Sequence, residues 1–353
     1  MKRSLMPLAG LYGAGTRLRQ QAFNRGWLKS RRLSRPVISV GNLSVGGSGK
    51  TPLVALVAET LLRHGYKPAI LTRGYGRERG ADLIVLEPEP QRVPDSRRVG
   101  DEPALLARAL PQVPIVICAN RFRAGQVAEE RFGADVHILD DGFQHFALER
   151  EIDLVAVDVT QELLRDTLLP AGRLREPASA LSRADLIVLT RVEIEDPASM
   201  EKQVGRINPK APVFRCATGL RSLIEVGRPE GTEPGDDRGK PVCAFCAIGN
   251  SSAFFSDLRR WGFHPVSEIA FRDHHVYSTE DIQRLNNVAR GKGAAAFLTT
   301  EKDVMNLPPQ PAFDLPVLAC AIRAEISDIG RFEQVLLAGL ASKQVRSEVG
   351  PQI

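Results

Sequence analysis

Short apolar runs alternate with longer amphipathic stretches along most of the chain. Runs of four or five residues rich in valine, isoleucine and leucine are typical of buried strands, and longer stretches with apolar positions three or four apart are typical of helices. This alternation predicts an α/β fold in which a parallel sheet is covered by helices on both faces. The predicted strands are 36–40, 69–72, 115–118, 136–139, 154–158 and 186–190, and the clearest predicted helices are 52–63, 102–109 and 125–131.

The composition changes at residues 219–240, where glycine, proline and charged residues are concentrated. Such a stretch is typical of a linker or an exposed hairpin. Apolar runs at 242–248 and 294–299, with helical patterns at 251–261 and 279–289, predict a smaller α/β domain over 241–341. The main domain then spans 36–218, after an N-terminal segment of residues 1–35, and a polar tail of 342–353 is expected to fray.

The N-terminal segment is basic and contains apolar anchors. No Asp or Glu precedes Glu59, whereas ten Lys and Arg residues do, in a chain of net charge +5. A basic stretch with Leu, Phe and Trp side chains is typical of a helix lying in a membrane interface, and it is equally typical of a packed helix with solvated arginines. The segment does not resemble a signal peptide, and no apolar run reaches the length of about 18 residues that suggests a membrane span.

The five cysteines do not form the regular pattern of a disulfide framework, which favours a reducing compartment. Cys243 and Cys246 form a CxxC inside an apolar run. A metal site would need a second cysteine pair, and a thioredoxin-like site would place the pair at the start of a helix. We therefore expect these two cysteines to lie in a buried strand.

A glycine-rich loop follows the first predicted strand and precedes the first predicted helix. Its glycines allow backbone N–H groups to approach phosphate oxygens, and the start of the helix directs further N–H groups and its positive end at the anion. The lysine would reach the β- and γ-phosphates, and the threonine hydroxyl would bind Mg²⁺. The loop departs from GxxxxGK[ST] at its first position only, and its predicted ATP-binding residues are Ser44, Val45, Gly46, Gly47, Ser48, Gly49, Lys50 and Thr51.

Two aspartates end the fourth predicted strand. Asp140 and Asp141 follow the apolar run 136–139 directly. An apolar strand that ends in Asp beside a phosphate loop is typical of a Walker B site, in which a carboxylate holds Mg²⁺ directly or through water. We therefore predict that Thr51, Asp140 and Asp141 form the metal site, without deciding which of the two aspartates contacts the ion.

Kinases, GTPases and metallochaperone-like switches all use phosphate loops, so the loop alone does not decide among them. A GTPase would carry [NT]KxD after a strand, and the nearest candidate, 190–193, reads Thr-Arg-Val-Glu. This favours a kinase and leaves a GTPase-like switch as the alternative. No recognisable nucleic-acid module accompanies the basic N-terminus, so no nucleic-acid partner is predicted, and nothing points to a protein partner.

Eight segments together resemble the tetraacyldisaccharide 4′-kinases of lipid A biosynthesis, in that family's order and over nearly the whole chain. The Ser in the first position of the loop is also typical of that family. The segments are VGNLSVGGSGKTP (40–52), LTRGYGR (71–77), VGDEP (99–103), ANR (119–121), DDGFQH (140–145), LLPAGRLREP (168–177), FRDHHVY (271–277) and TTEKD (299–303).

The resemblance implies ATP- and Mg²⁺-dependent phosphorylation of the 4′-hydroxyl of a tetraacylated glucosamine disaccharide 1-phosphate, which gives lipid IVA. It implies a peripheral or monotopic enzyme on the cytoplasmic face of the inner membrane, held there by its N-terminal helix. This favours the membrane interpretation of residues 1–28.

The resemblance also implies roles for particular residues. It makes Asp101 the catalytic base, although by itself an Asp before Glu-Pro is typical of a helix N-cap. It makes a histidine of FRDHHVY the partner of that base, and we favour His274 over His275 because it follows Asp273 directly. Lys50 completes the predicted catalytic set. Candidate substrate-binding residues are Arg73, Tyr75, Arg121, Gln144, His145 and Arg173. For Arg73, Arg77 and Arg175, a solvated or ion-paired role is as well supported as a phosphate contact.

Overall fold

The computed structural model describes residues 2–47, 49–75, 77, 81–89, 94–163, 165–227, 231–232, 238–273 and 275–348. The chain divides into two compact units. The first contains Met1–Ala217 and Ala324–Ile353, and the second contains Thr218–Arg323.

The first unit is built on a mostly parallel sheet. Its strands are β1 Val37–Asn42, β2 Pro68–Thr72, β3 Leu83–Leu86, β4 Ile115–Cys118, β5 Val136–Asp140, β6 Ile152–Asp158, β7 Leu186–Thr190 and β8 Val213–Glu225, which continues into the second unit. They lie in the order β3-β4-β2-β5-β1-β6-β7-β8. Only β3 runs antiparallel to its neighbour among these strands, and β1, β2 and β5 are buried along their whole length. The predicted α/β fold with a parallel sheet is confirmed.

The helices of the first unit follow the strands in the alternation expected of such a sheet. They are α1 Met6–Asn24, α2 Lys50–Arg63, α3 Ser96–Val99, α4 Asp101–Ala109, α5 Arg121–Phe132 and α6 Ala198–Ile207, with 3₁₀ turns at Lys2–Leu5 and Ala178–Arg183. α5 begins four residues before its predicted start because the Asn120 side chain caps it by accepting from the Arg123 N–H. α2 begins at Lys50 and accommodates Pro52 in its first turn, where the missing N–H is tolerated.

The second unit is built on a further set of parallel strands. Its elements are β9 Gly231–Thr232, β10 Pro241–Cys246, α7 Ser251–Arg260, β11 His264–Ala270, α8 Thr279–Lys292, β12 Ala296–Thr300, α9 Glu301–Met305 and β13 Val317–Ile326. The strands β11, β10, β12 and β13 lie side by side and are parallel. Cys243 and Cys246 are both buried in β10, where their odd spacing puts them in different apolar clusters on the sheet. They lie in a buried strand, as expected, and all five cysteines are free and buried.

The chain is divided differently from the predicted ranges in two places. Residues 219–225 are not linker but the end of β8, and the hairpin is confined to the pairing of β8 with β9, where Leu223 lies opposite Thr232. The last helix, α10 Ile329–Glu348, belongs to the first unit rather than to the smaller domain. Its Phe332 side chain meets Phe214 edge-on, and its Glu333 forms an ion pair with Arg63 of α2. These contacts bring residues 324–348 to the first unit, and α10 extends into the region expected to fray.

Candidate active site

Four parallel strands of the first unit end at one edge of the sheet. β1 and β5 are paired through Val40 and Asp140, β1 and β6 through Val40 and Leu154, and β6 and β7 through Asp158 and Thr190. In open α/β sheets this carboxyl edge is where ligands bind. The predicted phosphate loop leaves β1 at this edge and enters α2, whose N-cap is Gly49 in the left-handed region at φ 75°. Ser48 lies outside the described residues.

Lys50 is the charged residue of the phosphate loop, and its side chain is largely buried. Its side chain is 9% exposed, its Nζ donates to Asn42 Oδ1 at 3.2 Å, and it lies 3.5 Å from Asp141 Oδ1. Asn42 also receives a hydrogen bond on its backbone carbonyl from Gln144 Nε2 at 2.9 Å. Sequence reasoning missed Asn42, although a polar residue that ends an apolar strand just before the loop was an available signal. The lysine is thus oriented before any phosphate is bound.

The two aspartates of the DDGFQH segment are held by different partners. Asp140 is buried at the end of β5, and its Oδ2 accepts from the Thr72 hydroxyl at 2.9 Å. Asp141 adopts φ 51°, which turns the chain out of the strand, and its Oδ2 accepts from Arg175 Nη1 at 2.6 Å. Of the two roles considered for Arg175, the structure therefore shows the ion pair.

The surroundings of the two aspartates shift their pKa values in opposite directions. Burial, followed by the charges of Glu102 and Asp141, raises the pKa of Asp140, and Thr72 and Lys50 only partly oppose this. Burial would also raise the pKa of Asp141, but Lys50 and Arg175 outweigh it and hold that pKa below its usual value. The ionised form of Asp141 is therefore favoured, whereas ionisation of Asp140 is disfavoured in the absence of a nearby cation that would stabilise its charge.

These residues fit Mg²⁺. Thr51, Asp140 and Asp141 offer only oxygen donors, which Mg²⁺ prefers. Asp141 Oδ1 lies 3.5 Å from the Lys50 ammonium group and has no closer hydrogen-bond donor among the described residues. Within the described part of the chain no three His, Cys, Asp or Glu side chains are grouped as a metal site. Mg²⁺ sites in proteins commonly take only one or two carboxylates, with water and substrate phosphates as the other ligands.

Asp101 lies at the start of α4, close to the loop that follows β2. It is the first residue of the helix, and the N-cap is Gly100, which makes no side-chain cap, so the N-cap interpretation of Asp101 is wrong. Gly100 has φ 95°, and a Cβ there would lie 2.9 Å from the Tyr75 carbonyl oxygen. Only glycine permits this approach, which packs the VGDEP segment against LTRGYGR. The effect of Glu102 on the pKa of Asp140 shows that the start of α4 is within electrostatic reach of β5.

A basic cluster surrounds His145. Burial lowers the pKa of His145 to about 4, and the charges of Arg121, Arg150, Arg19 and Arg73 act in the same direction. Arg121 is itself buried; its Nη1 donates to the Cys118 carbonyl at 2.8 Å, while its Nε is buried without a hydrogen-bond partner. Several cationic groups held close together, one of them with an unused donor, suit an anionic ligand.

The remaining candidate substrate residues are placed as follows. A Cβ built on Gly46 would lie 2.9 Å from Arg173 Nη2. The Arg173 guanidinium therefore lies against the phosphate loop. Gln144 donates to Asn42 and keeps its Oε1 buried without a partner. Tyr75 is 84% exposed and Arg73 is also exposed, on the loop next to Gly100. The structure thus brings Arg173 and Gln144 to the phosphate loop, and Arg121, Arg73 and His145 to one basic cluster.

In the second unit, the FRDHHVY and TTEKD segments meet. Asp303 is buried and accepts from the Tyr277 hydroxyl and the Ala247 N–H, both at 2.7 Å. His275 stacks on Phe271, and its Nε2 lies 2.8 Å from Asp281 Oδ2. His275 is therefore engaged in the structure of its own loop. His274 lies outside the described residues, so its preference over His275 stays a prediction.

Comparison with protein families identifies the family to which the chain belongs. The family model described as LpxK, tetraacyldisaccharide-1-P 4′-kinase, matches residues 1–341. The chain belongs to this family. The family resemblance inferred from the eight segments is confirmed, and the GTPase-like alternative is not favoured.

Individual relatives agree with this membership. The tetraacyldisaccharide 4′-kinase of Koribacter versatilis is 39% identical over 330 residues, covering 91% of this chain and 94% of the relative. That of Pelobacter propionicus is 38% identical over 303 residues, covering 86% and 82%. The crystal structure of LpxK from Aquifex aeolicus in complex with ATP is similar at a TM-score of 0.77 and 30% identity, covering 96% of this chain and 99% of that one.

Proposed function

We propose that this protein transfers the γ-phosphate of ATP to the 4′-hydroxyl of a tetraacylated glucosamine disaccharide 1-phosphate, forming lipid IVA in lipid A biosynthesis. The observation that carries the proposal is the confined Lys50, 3.5 Å from Asp141 in a strand–loop–helix phosphate site of a chain that belongs to the tetraacyldisaccharide 4′-kinase family. Such a lysine neutralises charge on the β- and γ-phosphates as the transferred group loosens.

The nucleotide side of the reaction is assigned to the loop between β1 and α2. Its backbone N–H groups and the first turn of α2 would surround the phosphates, and Arg173 would close over them from the Gly46 side. Lys50 is held by Asn42 and Asp141, so little reorganisation is needed when ATP binds. Thr51, Asp140 and Asp141 would hold Mg²⁺, which would offset the negative charge that develops on the phosphates during transfer.

The acceptor side is assigned to the start of α4. Asp101 would accept the proton of the 4′-hydroxyl as that oxygen attacks the γ-phosphorus, and its carboxylate would hold the hydroxyl in line. The Gly100–Tyr75 packing fixes the backbone that carries Asp101. We further propose, on the family resemblance of the FRDHHVY segment, that His274 contributes to the transfer step.

The basic cluster suits the phosphate that the acceptor already carries. Arg121 has a buried, unpartnered Nε, and Arg73 and His145 lie in the same field of positive charge. The charge of Arg19 on α1 also lowers the pKa of His145, and the ring of Phe23 on the same helix lies 5.8 Å from that of Phe146, next to the cluster. An acceptor with its acyl chains in a membrane and its phosphate at this cluster would meet both features at once.

Helix α1 has the surface expected of a membrane-docking helix. Ala9 and Gly13 are buried, and a Cβ on Gly13 would clash with Leu168. Leu8, Leu11 and Leu18 face outward with 51%, 71% and 63% of their surfaces exposed. Among the described helices, none is both long and apolar enough to cross a membrane. We therefore propose that α1 docks the protein peripherally on the cytoplasmic face of the inner membrane.

A transfer assay tests the proposed reaction. The purified protein is mixed with Mg²⁺, γ-labelled ATP and the tetraacyl disaccharide 1-phosphate in detergent micelles, and labelled lipid is separated from nucleotide. We expect label in the lipid with ATP and far less with GTP, and none with Lys50→Ala. Label released only as inorganic phosphate, or preferred use of GTP, would support the GTPase-like alternative instead.

A further inference from the structure

A hydrogen-bonded group lies directly behind the phosphate loop, centred on a carboxylate that the proposed chemistry does not use. Asp158 ends β6 and is buried. Its Oδ1 accepts from the Thr160 N–H at 3.0 Å and from the Thr160 hydroxyl at 2.6 Å. Its Oδ2 accepts from Gln161 Nε2 at 3.0 Å and lies 3.2 Å from Arg191 Nε. Both oxygens are thus engaged, and the carboxylate fixes Gln161 and Arg191.

Gln161 and Arg191 in turn contact the phosphate loop at two points. Gln161 Oε1 accepts from the Ser44 hydroxyl at 3.0 Å, at the start of the loop. Arg191 Nη2 lies 3.4 Å from the Gly47 carbonyl oxygen and donates to it, in the middle of the loop. We call Asp158, Gln161 and Arg191 the loop brace.

The brace gives a structural role to two residues that differ from common motifs of phosphate-loop proteins. Ser44 stands where GxxxxGK[ST] has its first glycine, and its additional hydroxyl donates a hydrogen bond to Gln161 Oε1. Arg191 stands at the end of β7, where a GTPase has the lysine of [NT]KxD, and its side chain turns to Gly47 and Asp158.

Arg191 also adopts a backbone conformation that needs compensation. Its φ is 62°, in the left-handed region that non-glycine residues rarely occupy. Such a conformation is strained for a non-glycine residue and persists only where surrounding contacts determine it. The contacts of the Arg191 side chain are the compensation visible in the structure.

The opposite side of the loop is held by backbone pairing. The Val45 N–H donates to the Arg173 carbonyl at 2.8 Å, and the Arg175 N–H donates to the Leu43 carbonyl at 2.7 Å. The start of the loop is therefore fixed on one side by the 173–175 segment and on the other by Gln161. A phosphate site whose amides are already oriented loses less free energy in ordering when its ligand binds.

We propose that Gln161 and Arg191, fixed by Asp158, are positioning residues that hold the phosphate loop in its nucleotide-binding shape, and that Ser44 is the point of attachment. The inference rests on the proposed binding of ATP by this loop. The brace touches the loop and not the acceptor side, so it acts on ATP affinity rather than on the acceptor or on the transfer step.

The test severs one contact in two ways. Ser44→Gly restores the consensus glycine but removes the hydroxyl, and Gln161→Ala removes its acceptor. Each single variant should bind ATP about three- to ten-fold more weakly by isothermal titration, the effect of about one net hydrogen bond. The KM for ATP should rise accordingly, while kcat at saturating ATP and the KM for the lipid acceptor stay within about two-fold of wild type.

Three further variants make the test specific. The double variant Ser44→Gly with Gln161→Ala should bind ATP no more weakly than the worse single variant, since both lose the same contact. Ser44→Thr keeps a hydroxyl and should recover most of the wild-type affinity. The matched control is Gln203→Ala, which removes a similar glutamine–serine contact, to Ser199 on α6, and should bind ATP as wild type does.

Two results would overturn the brace without touching the proposed function. One is wild-type ATP affinity in folded Ser44→Gly and Gln161→Ala, and the other is an equal loss of affinity for ATP and acceptor. If the wild-type protein itself did not bind ATP, the proposed function would fail instead, so the two failures are distinguishable.

Discussion

Asp101 is the single residue on which the proposed proton transfer depends. It lies at the start of α4, in a different segment of the chain from the loop that carries Lys50, so we expect that ATP binding does not depend on it. General-base assistance contributes about 10²–10⁴-fold to rate. We expect Asp101→Ala to lower kcat by that factor with the Kd for ATP unchanged, measured by steady-state kinetics and calorimetry. A weaker Kd for ATP would make Asp101 a nucleotide or metal ligand instead.

The histidine prediction extends the same measurement. His274→Ala should lower kcat by less than Asp101→Ala does, and the double variant should lose no more than Asp101→Ala alone, because both side chains act on one proton. His275→Ala is the neighbouring comparison, since His275 is held by Asp281 and Phe271. Additive losses for Asp101 and His274 would mean that the two residues act independently.

His145 gives a prediction on pH. Burial and the surrounding arginines lower its folded-state pKa to about 4, from 6.5 when unfolded. Between these values the unfolded chain binds a proton that the folded protein does not, so this residue makes stability fall as pH falls from 6.5 toward 4. We expect His145→Gln to remove on the order of 2 kcal/mol of that loss, measured by urea unfolding at several pH values. Parallel stability profiles for the variant and wild type would contradict the effect assigned to His145.

At the scale of the element, α1 carries the membrane proposal. Replacing Leu8, Leu11 and Leu18 together by Ser removes exposed apolar surface without touching the buried Ala9 and Gly13. At about 25 cal/mol per Å² this should cost about 3 kcal/mol of membrane binding, or about 100-fold in partitioning to anionic vesicles by flotation.

The matched control for α1 replaces three exposed apolar residues elsewhere, Ile194, Val266 and Ile322, by Ser. This control should partition onto vesicles as wild type does. An equal loss of vesicle binding in the two triple variants would indicate non-specific hydrophobic adsorption rather than docking through α1.

The strands that sequence reasoning placed well are those buried on both faces. β4 and β7 match their predicted ranges residue for residue, and β5 extends one residue beyond its predicted range. These strands were predictable because a parallel strand that is covered on both faces requires an uninterrupted apolar run. Five of the described strands were not predicted: β3, β8, β9, β11 and β13. β3 is a four-residue, half-exposed edge strand, and β11 alternates exposed with partly exposed residues and begins His-Pro.

The candidate site was predictable where its residues are adjacent in sequence and not where they meet across it. The phosphate loop and the Asp140–Asp141 pair are recognisable in the sequence as local motifs. Nothing local connects Ser44 with Gln161, which are separated by 117 positions, or Thr72 with Asp140, separated by 68. Those pairings follow only from strand order, which the sequence pattern does not specify.

At the scale of the whole molecule, nucleotide binding should stabilise the folded chain. A ligand at about 100 times its Kd adds about 2.7 kcal/mol to stability. We expect ATP with Mg²⁺ to raise the melting temperature of wild type by several degrees in differential scanning fluorimetry. Removal of Mg²⁺ with EDTA should reduce that shift, because Thr51, Asp140 and Asp141 would then lose the ion they share with the phosphates.

Lys50→Ala should show almost no such shift, because its ammonium group is oriented at the phosphate loop. The matched control is Lys67→Ala, which removes an exposed lysine of the same unit and should shift as wild type does. An undiminished shift in Lys50→Ala would remove that lysine from nucleotide binding.

The most direct test of the central claim is the position of the new phosphate. Product made by the wild-type protein from ATP, Mg²⁺ and the tetraacyl disaccharide 1-phosphate would be examined by ³¹P–¹H correlation NMR. We predict a second phosphomonoester coupled to the proton at the 4′ position of the distal glucosamine, and none in reactions with Asp101→Ala over the same time. A new phosphate at any other position, or a pyrophosphate at the existing 1-phosphate, would contradict the account.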